Sequence, residues 1–245
     1  MTYRYHWLLA VALAWPLTVR AQVVDLSPAG FMPAATIDLS TVPLGTNDPV
    51  FDLSAGGYGT VAISFGSYFT GQSLTNISAG LPITLATSTP SAPLTVASDP
   101  TNVAFTTTDD ALPDPTTLVI SGTPDFNGPI AIELSTPVQD FGLTAGYLNV
   151  PDAVAITAYN SAGASLGTVQ SSAIGFQTFA LSDPLGAQIA GLSIYPVSAV
   201  PGGFEIHDLS FGPAVPEPPA LPVLLAALAG LFAVRRRWGG SSRAG

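Results

Sequence analysis

The chain has 245 residues, 47% of them hydrophobic and only 9% charged, with six Lys plus Arg against sixteen Asp plus Glu and a formal net charge of −10. There is no cysteine, which excludes disulfides, thiol nucleophiles and cysteine-ligated metal centres. All six basic residues are arginines at the ends (Arg4, Arg20, Arg235, Arg236, Arg237, Arg243), so residues 22–234 hold every acid and no Lys or Arg, leaving nothing to neutralise a phosphate backbone and excluding nucleic-acid binding.

At the N-terminus, Arg4 precedes an apolar run from Trp7 to Leu17, and Val19-Arg20-Ala21 forms a small-x-small boundary before Gln22. The run is about 11 residues, too short to cross a bilayer. This pattern predicts a signal peptide over residues 1–21, cleaved between Ala21 and Gln22.

From residue 22 onward the sequence offers short alternating runs broken by Gly, Pro, Asn and Asp, with no sustained helical period. Val61, Ile63 and Phe65 alternate with Ala62 and Ser64; Ile130, Ile132 and Leu134 with Ala131 and Glu133; Val154, Ile156 and Ala158 with Ala155 and Thr157. Each reads as a half-buried strand. The stretch from Thr87 to Thr117 is rich in Thr, Ser, Pro, Ala and Asp and reads as a loop or insertion within one domain, the alternative being a linker between two, with a weak strand signal near Val103–Phe105. Residues 117–212 are the most regular part. Asn160-Ser161-Ala162-Gly163 joins Ala153–Tyr159 to Ser165–Gln170 as a hairpin, and further runs follow at Phe176–Leu181, Ala190–Tyr195 and Phe204–Phe211. Strands at this spacing predict an all-β, antiparallel β-sandwich over residues 22–213.

The closing run has a parity break. Phe204 and Ile206 share one face of a regular strand, Leu209 and Phe211 the other, so a β-bulge near His207-Asp208 is needed to bring both pairs into the core. The bulge would re-aim Glu205, His207 and Asp208. Asp208 with one neighbour is the candidate calcium or glycan contact, and because hard cations take carboxylate oxygens Glu205 is the neighbour for a metal; an edge strand with solvated polar side chains is the plain alternative. No other cofactor is implied. Tyr58, Tyr68, Tyr147, Tyr159 and Tyr195 serve equally as sugar-stacking rings or as core.

Catalytic constellations are poorly represented. Any Ser-His-Asp triad outside the leader would depend on His207, and no Gly-x-Ser-x-Gly elbow is present. The acids offer many carboxylate pairs but no distinguishing spacing, and Asp48-Pro49, Asp99-Pro100, Asp125-Phe126-Asn127 and Asp183-Pro184 read as turn closures through the Asp side chain. Catalytic residues are therefore not assigned, and the protein is read as a non-enzyme. With the arginine-bearing ends set aside the chain carries about −16, or about −15 without Glu217, which favours neutral glycans or divalent cations over polyanions as partners.

At the C-terminus, Val215-Pro216-Glu217-Pro218-Pro219 leads into an apolar stretch, Ala220–Val234, followed by Arg235-Arg236-Arg237 and Trp238. The stretch predicts a single transmembrane helix of about 15 residues, rising about 22 Å and completed by Trp238 and snorkelling arginines. The arginine triplet holds its end in the cytoplasm and places the preceding domain outside.

The order Val215-Pro216-Glu217-Pro218, short hydrophobic helix and arginine cluster resembles the PEP-CTERM sorting signal of exported proteins of Gram-negative bacteria. That resemblance covers residues 214–238 and implies an exosortase-type processing enzyme as partner, membrane attachment during sorting, and a cell-surface or extracellular-matrix destination. The domain carries a second resemblance. Phe141-Gly142-Leu143-Thr144-Ala145-Gly146-Tyr147, Ala155-Ile156-Thr157-Ala158-Tyr159-Asn160 and Phe204-Glu205-Ile206-His207-Asp208-Leu209-Ser210-Phe211-Gly212 are similar to jelly-roll domains of exported PEP-CTERM proteins, with His207 where those carry an acid. This implies a lectin-like architecture and extracellular polysaccharide as a partner. The alternative is an extracellular hydrolase of polysaccharide or ester substrates.

Overall fold

The computed structural model describes residues 23–25, 31–55, 59–78, 81–109, 111–186, 188–197 and 203–212. The expected signal peptide and its Ala21–Gln22 cleavage point, and the sorting segment 214–238 with Pro216, Glu217 and Arg235–Arg237, lie outside the described residues. Among the described residues no helix is long and apolar enough to cross a membrane.

The described chain is all-β. Its strands are β1 (Val24–Asp25), β2 (Ala35–Thr36), β3 (Val50–Ala55), β4 (Gly59–Gly66), β5 (Ser73–Ser78), β6 (Leu81–Thr87), β7 (Ala104–Thr108), β8 (Leu118–Gly122), β9 (Ile130–Val138), β10 (Asp140–Leu148), β11 (Val154–Tyr159), β12 (Ser165–Gln170), β13 (Gly175–Ser182), β14 (Ile189–Pro196) and β15 (Glu205–Phe211). A 3-10 turn, Leu39–Thr41, follows β2.

Two antiparallel sheets face each other as a β-sandwich. The first runs β1-β13-β10-β15-β8-β7, with β2 also pairing β15; the second runs β12-β11-β14-β9-β4-β3. Alternation explains which residues meet between them. Phe141 and Leu143 of β10, Phe179 and Leu181 of β13, and Ile206, Leu209 and Phe211 of β15 join Val61, Ile63 and Phe65 of β4, Ile130 and Ile132 of β9 and Ile156 of β11 in one buried cluster. Burying each such side chain stabilises the fold by roughly 1.5–3 kcal/mol, which is how a domain with neither disulfides nor Lys/Arg ion pairs holds together.

A further two-stranded sheet, β5-β6, and the loops flanking it cover the outer face of the second sheet. Phe69 and Leu94 pack there on Ala131, Tyr159 and Ala190. Gly191 of β14 lies directly beneath: a Cβ would come within 2.8 Å of both Leu94 and Phe69, so the close approach needs glycine. In consequence β11 and most of β9 are buried on both faces, where alternation alone predicted half-burial. The Thr87–Thr117 stretch is also more ordered than a loop, because β7 pairs with β8 from Ala104↔Gly122 to Thr108↔Leu118 and extends the first sheet.

Candidate functional site

The bulge in β15 is real and has a definite place. Gly142 pairs with Ser210 and Thr144 with His207, so two steps on β10 face three on β15. Asp208 takes up the extra residue with φ 51°, in the left-handed region. Ile206, before the bulge, and Leu209 and Phe211, after it, all reach the core.

On its other side β15 meets two strands. β8 pairs with it at Ile206↔Ile120, and β2 at Ser210↔Thr36 and Phe211↔Ala35. The partner strand changes at the bulge, and the sheet forks there. The fork opens a cleft of about 450 Å³, with residues 36–40 on one wall, Asp114 and residues 116–118 on the other, and His207 and Asp208 lining it from β15.

Glu205 and His207 alternate with the core residues Phe204 and Ile206 and so lie on the outer face of the sheet. They are nevertheless buried: Glu205 is 0% exposed and His207 8%. Space for Glu205 comes from Gly146, its partner on β10, where a Cβ would overlap Oε1. Phe176 stands edge-on to the His207 ring at 6.0 Å. Both Glu205 carboxylate oxygens are 3.1 Å from His207 Nδ1. On the opposite side of the ring Nε2 is 3.5 Å from Oδ2 of Asp208, whose side chain is 76% exposed.

These contacts set the protonation chemistry. Burial pushes the Glu205 carboxyl above its ordinary value, more than its hydrogen bond and charge interaction with His207 pull it down. Burial pulls His207 down, yet the Glu205 hydrogen bond and the negative charges of Glu205, Asp208 and Asp109 together leave it raised. On the cleft walls, Asp38 is lowered by the Ser40 hydroxyl and backbone amide, and Asp114 in the same way by Thr116.

The sequence offered two readings, Asp208 with Glu205 as a calcium contact or an edge strand with solvated polar side chains. β15 is instead an interior strand, and the two carboxylates do not converge on one cation: the His207 imidazole stands between them and occupies both Glu205 oxygens. Among the described residues no three His, Asp or Glu side chains form a metal-holding group. Asp38, Asp114 and Phe176 were not singled out, because they come from segments distant in sequence with no motif among them. The tyrosines considered for sugar stacking are engaged: Tyr159 packs on Phe69, Tyr68 bonds Asp99, Tyr195 bonds Thr157 and Tyr147 leans on Phe126. Tyr58 lies outside the described residues.

No protein-family model matches the chain, and no curated protein matches it. A solved structure with some similarity is the enzymatically active domain of bacteriophage CBA120 tailspike protein 4, at 15% identity and a TM-score of 0.28, over 45% of this chain and 18% of that one. At that level the likeness supports neither a fold assignment nor an activity.

Proposed function

We propose that this chain is a non-enzymatic exported protein of a Gram-negative bacterium, sorted by an exosortase-type system to the cell surface or extracellular matrix, where its jelly-roll-like sandwich binds extracellular polysaccharide. The observation that carries this reading is the segregation of charge. Every arginine lies within residues 4–20 or 235–243, beside a leader-like and an anchor-like apolar run, and the 22–234 stretch between has none. The acidic cleft at the fork, walled by hydroxyl-bearing Thr36, Ser40, Thr116 and Thr117, suits a neutral, hydroxyl-rich ligand better than an anionic one. Fractionating cells that express the chain with and without residues 216–237 tests the sorting step. The full chain is expected in envelope or extracellular fractions and the truncated one in the periplasm; identical distribution of the two overturns it.

A second reading, an extracellular hydrolase of polysaccharide or ester substrates, is favoured by one observation: Glu205 holds His207 through Nδ1 while Nε2 lies beside Asp208, and His207 and Asp208 both line the cleft, an arrangement that suits a general base. Screening such substrates with the chain and with His207→Ala separates the two. Hydrolysis that falls about a hundredfold in the folded variant supports this second reading, and its absence supports the binding protein.

A further inference from the structure

Both Glu205 oxygens lie against His207 Nδ1, and this geometry prepares an ion site other than the calcium pair. Glu205 accepts the Nδ1 hydrogen of His207, so a metal that displaces the second proton of the imidazolium finds the lone pair on Nε2. A buried carboxylate fixing the far nitrogen of an imidazole is the arrangement that orients metal-ligating histidines and raises their basicity. Nε2 itself has no hydrogen bond among the described residues. Asp208 Oδ2 lies 3.5 Å away, beyond the roughly 2.7–3.2 Å of an N–H···O bond. It is close, however, to the edge of a tetrahedron: two donors each roughly 2.0–2.2 Å from one ion stand about 3.4 Å apart.

We propose that His207 Nε2 and Asp208 Oδ2 form a two-donor site, open to the fork cleft, for a borderline divalent cation of the Zn2+ or Cu2+ class. Nitrogen plus oxygen selects this class over Ca2+, which takes oxygen alone. Water fills the remaining positions, and the cleft has room for it. Asp38 and Asp114 on the walls concentrate cations without being placed as ligands. The left-handed bulge gives the site its geometry, since it turns consecutive residues so that a buried ring and an exposed carboxylate both reach one point.

The test is calorimetric titration of the purified, untagged chain with Zn2+ and, separately, Ca2+. It is run in an H6Q background so that His207 is the chain's one imidazole. One Zn2+ is expected to bind, more tightly than Ca2+. Asp208→Asn, which keeps a residue that accepts the left-handed backbone, should weaken it at least about tenfold with a nearly unchanged melting curve, and Glu205→Gln about 10–100-fold through loss of the orienting charge. Cu2+ loaded in place of Zn2+ should show coupling to one imidazole nitrogen by electron paramagnetic resonance, and His207→Gln should remove it. Zn2+ affinity unchanged in Asp208→Asn, copper coupling unchanged in His207→Gln, or Ca2+ binding as tight as Zn2+, overturns the site.

Discussion

Both carboxylate oxygens of Glu205 lie 3.1 Å from Nδ1 of His207, inside a domain that has no Lys or Arg to offer any of its acids. The imidazole is thus the cationic partner available to Glu205 among the described residues, and the pair ties β15 to the environment of β10 and β13 through Gly146 and Phe176. Much of the pH behaviour of the fold follows from it.

A group whose folded pKa is raised binds more protons in the native state, so its contribution falls as pH rises. For His207 the contribution is complete below its unfolded value of 6.5 and is lost as pH climbs through the raised value; for Glu205 the loss begins above 4.5, and Asp25 and Asp48, raised by burial, act in the same direction from 3.8. Asp99, held down to about 2 by Asn102 and Thr101, and Asp38 and Asp114, also lowered, work oppositely: they stabilise above 3.8 and lose this as pH falls. Denaturation midpoints are therefore expected to be higher at about pH 5.5 than at about pH 8, with the difference reduced in Glu205→Gln. Guanidinium melts across this range check it, and stability that climbs steadily to pH 8 contradicts it.

Gly146→Ala places a methyl group against Oε1 of Glu205 and within 2.7 Å of Phe176. The change is expected to destabilise the domain by about 1–3 kcal/mol and to loosen the Glu205–His207 contact. A chemical-denaturation midpoint reads the first effect, and an NMR titration of His207 moving toward the ordinary histidine value reads the second.

Asp208 sits at φ 51°, a backbone region that Asn enters readily and a β-branched residue does not. Asp208→Asn should lose only the small charge interaction with His207, whereas Asp208→Val should cost about 1–2 kcal/mol more. Equal stability of the two variants would show that the bulge is not held in this geometry.

Phe176 and Phe179 lie three residues apart on β13, yet their surroundings differ: Phe176 is 42% exposed and Phe179 is fully buried in the inter-sheet core. Phe179→Ala should cost about 3–5 kcal/mol, and Phe176→Ala about 1 kcal/mol or less. Thermal melts of the two variants measure the contrast.

Local features were legible in the sequence because they depend on neighbouring residues. The β11–β12 hairpin follows from Asn160–Gly163, and the β15 bulge follows from the broken parity of Phe204, Ile206, Leu209 and Phe211. Asp99 and Asp183 close turns through their own side chains onto Thr101 and Leu185. Asp48, which looked like another such turn, reaches instead across to the amide of Ala104, a partner 56 residues away. Long-range placement was the part that composition could not supply. Nothing near Glu205 signals that β10 and β8 flank β15, or that Phe176 covers its outer face, so a buried pair read as solvated. The fork cleft draws its walls from residues 36–40 and 114–118, which only the strand order brings together.

Mass spectrometry of the chain recovered from the envelope of an expressing Gram-negative host tests the central claim most directly. Export with processing predicts a polypeptide that begins at Gln22 and ends before Arg235. An intact species of 25.0 kDa in the soluble cytosol, still carrying residues 1–21, would contradict it.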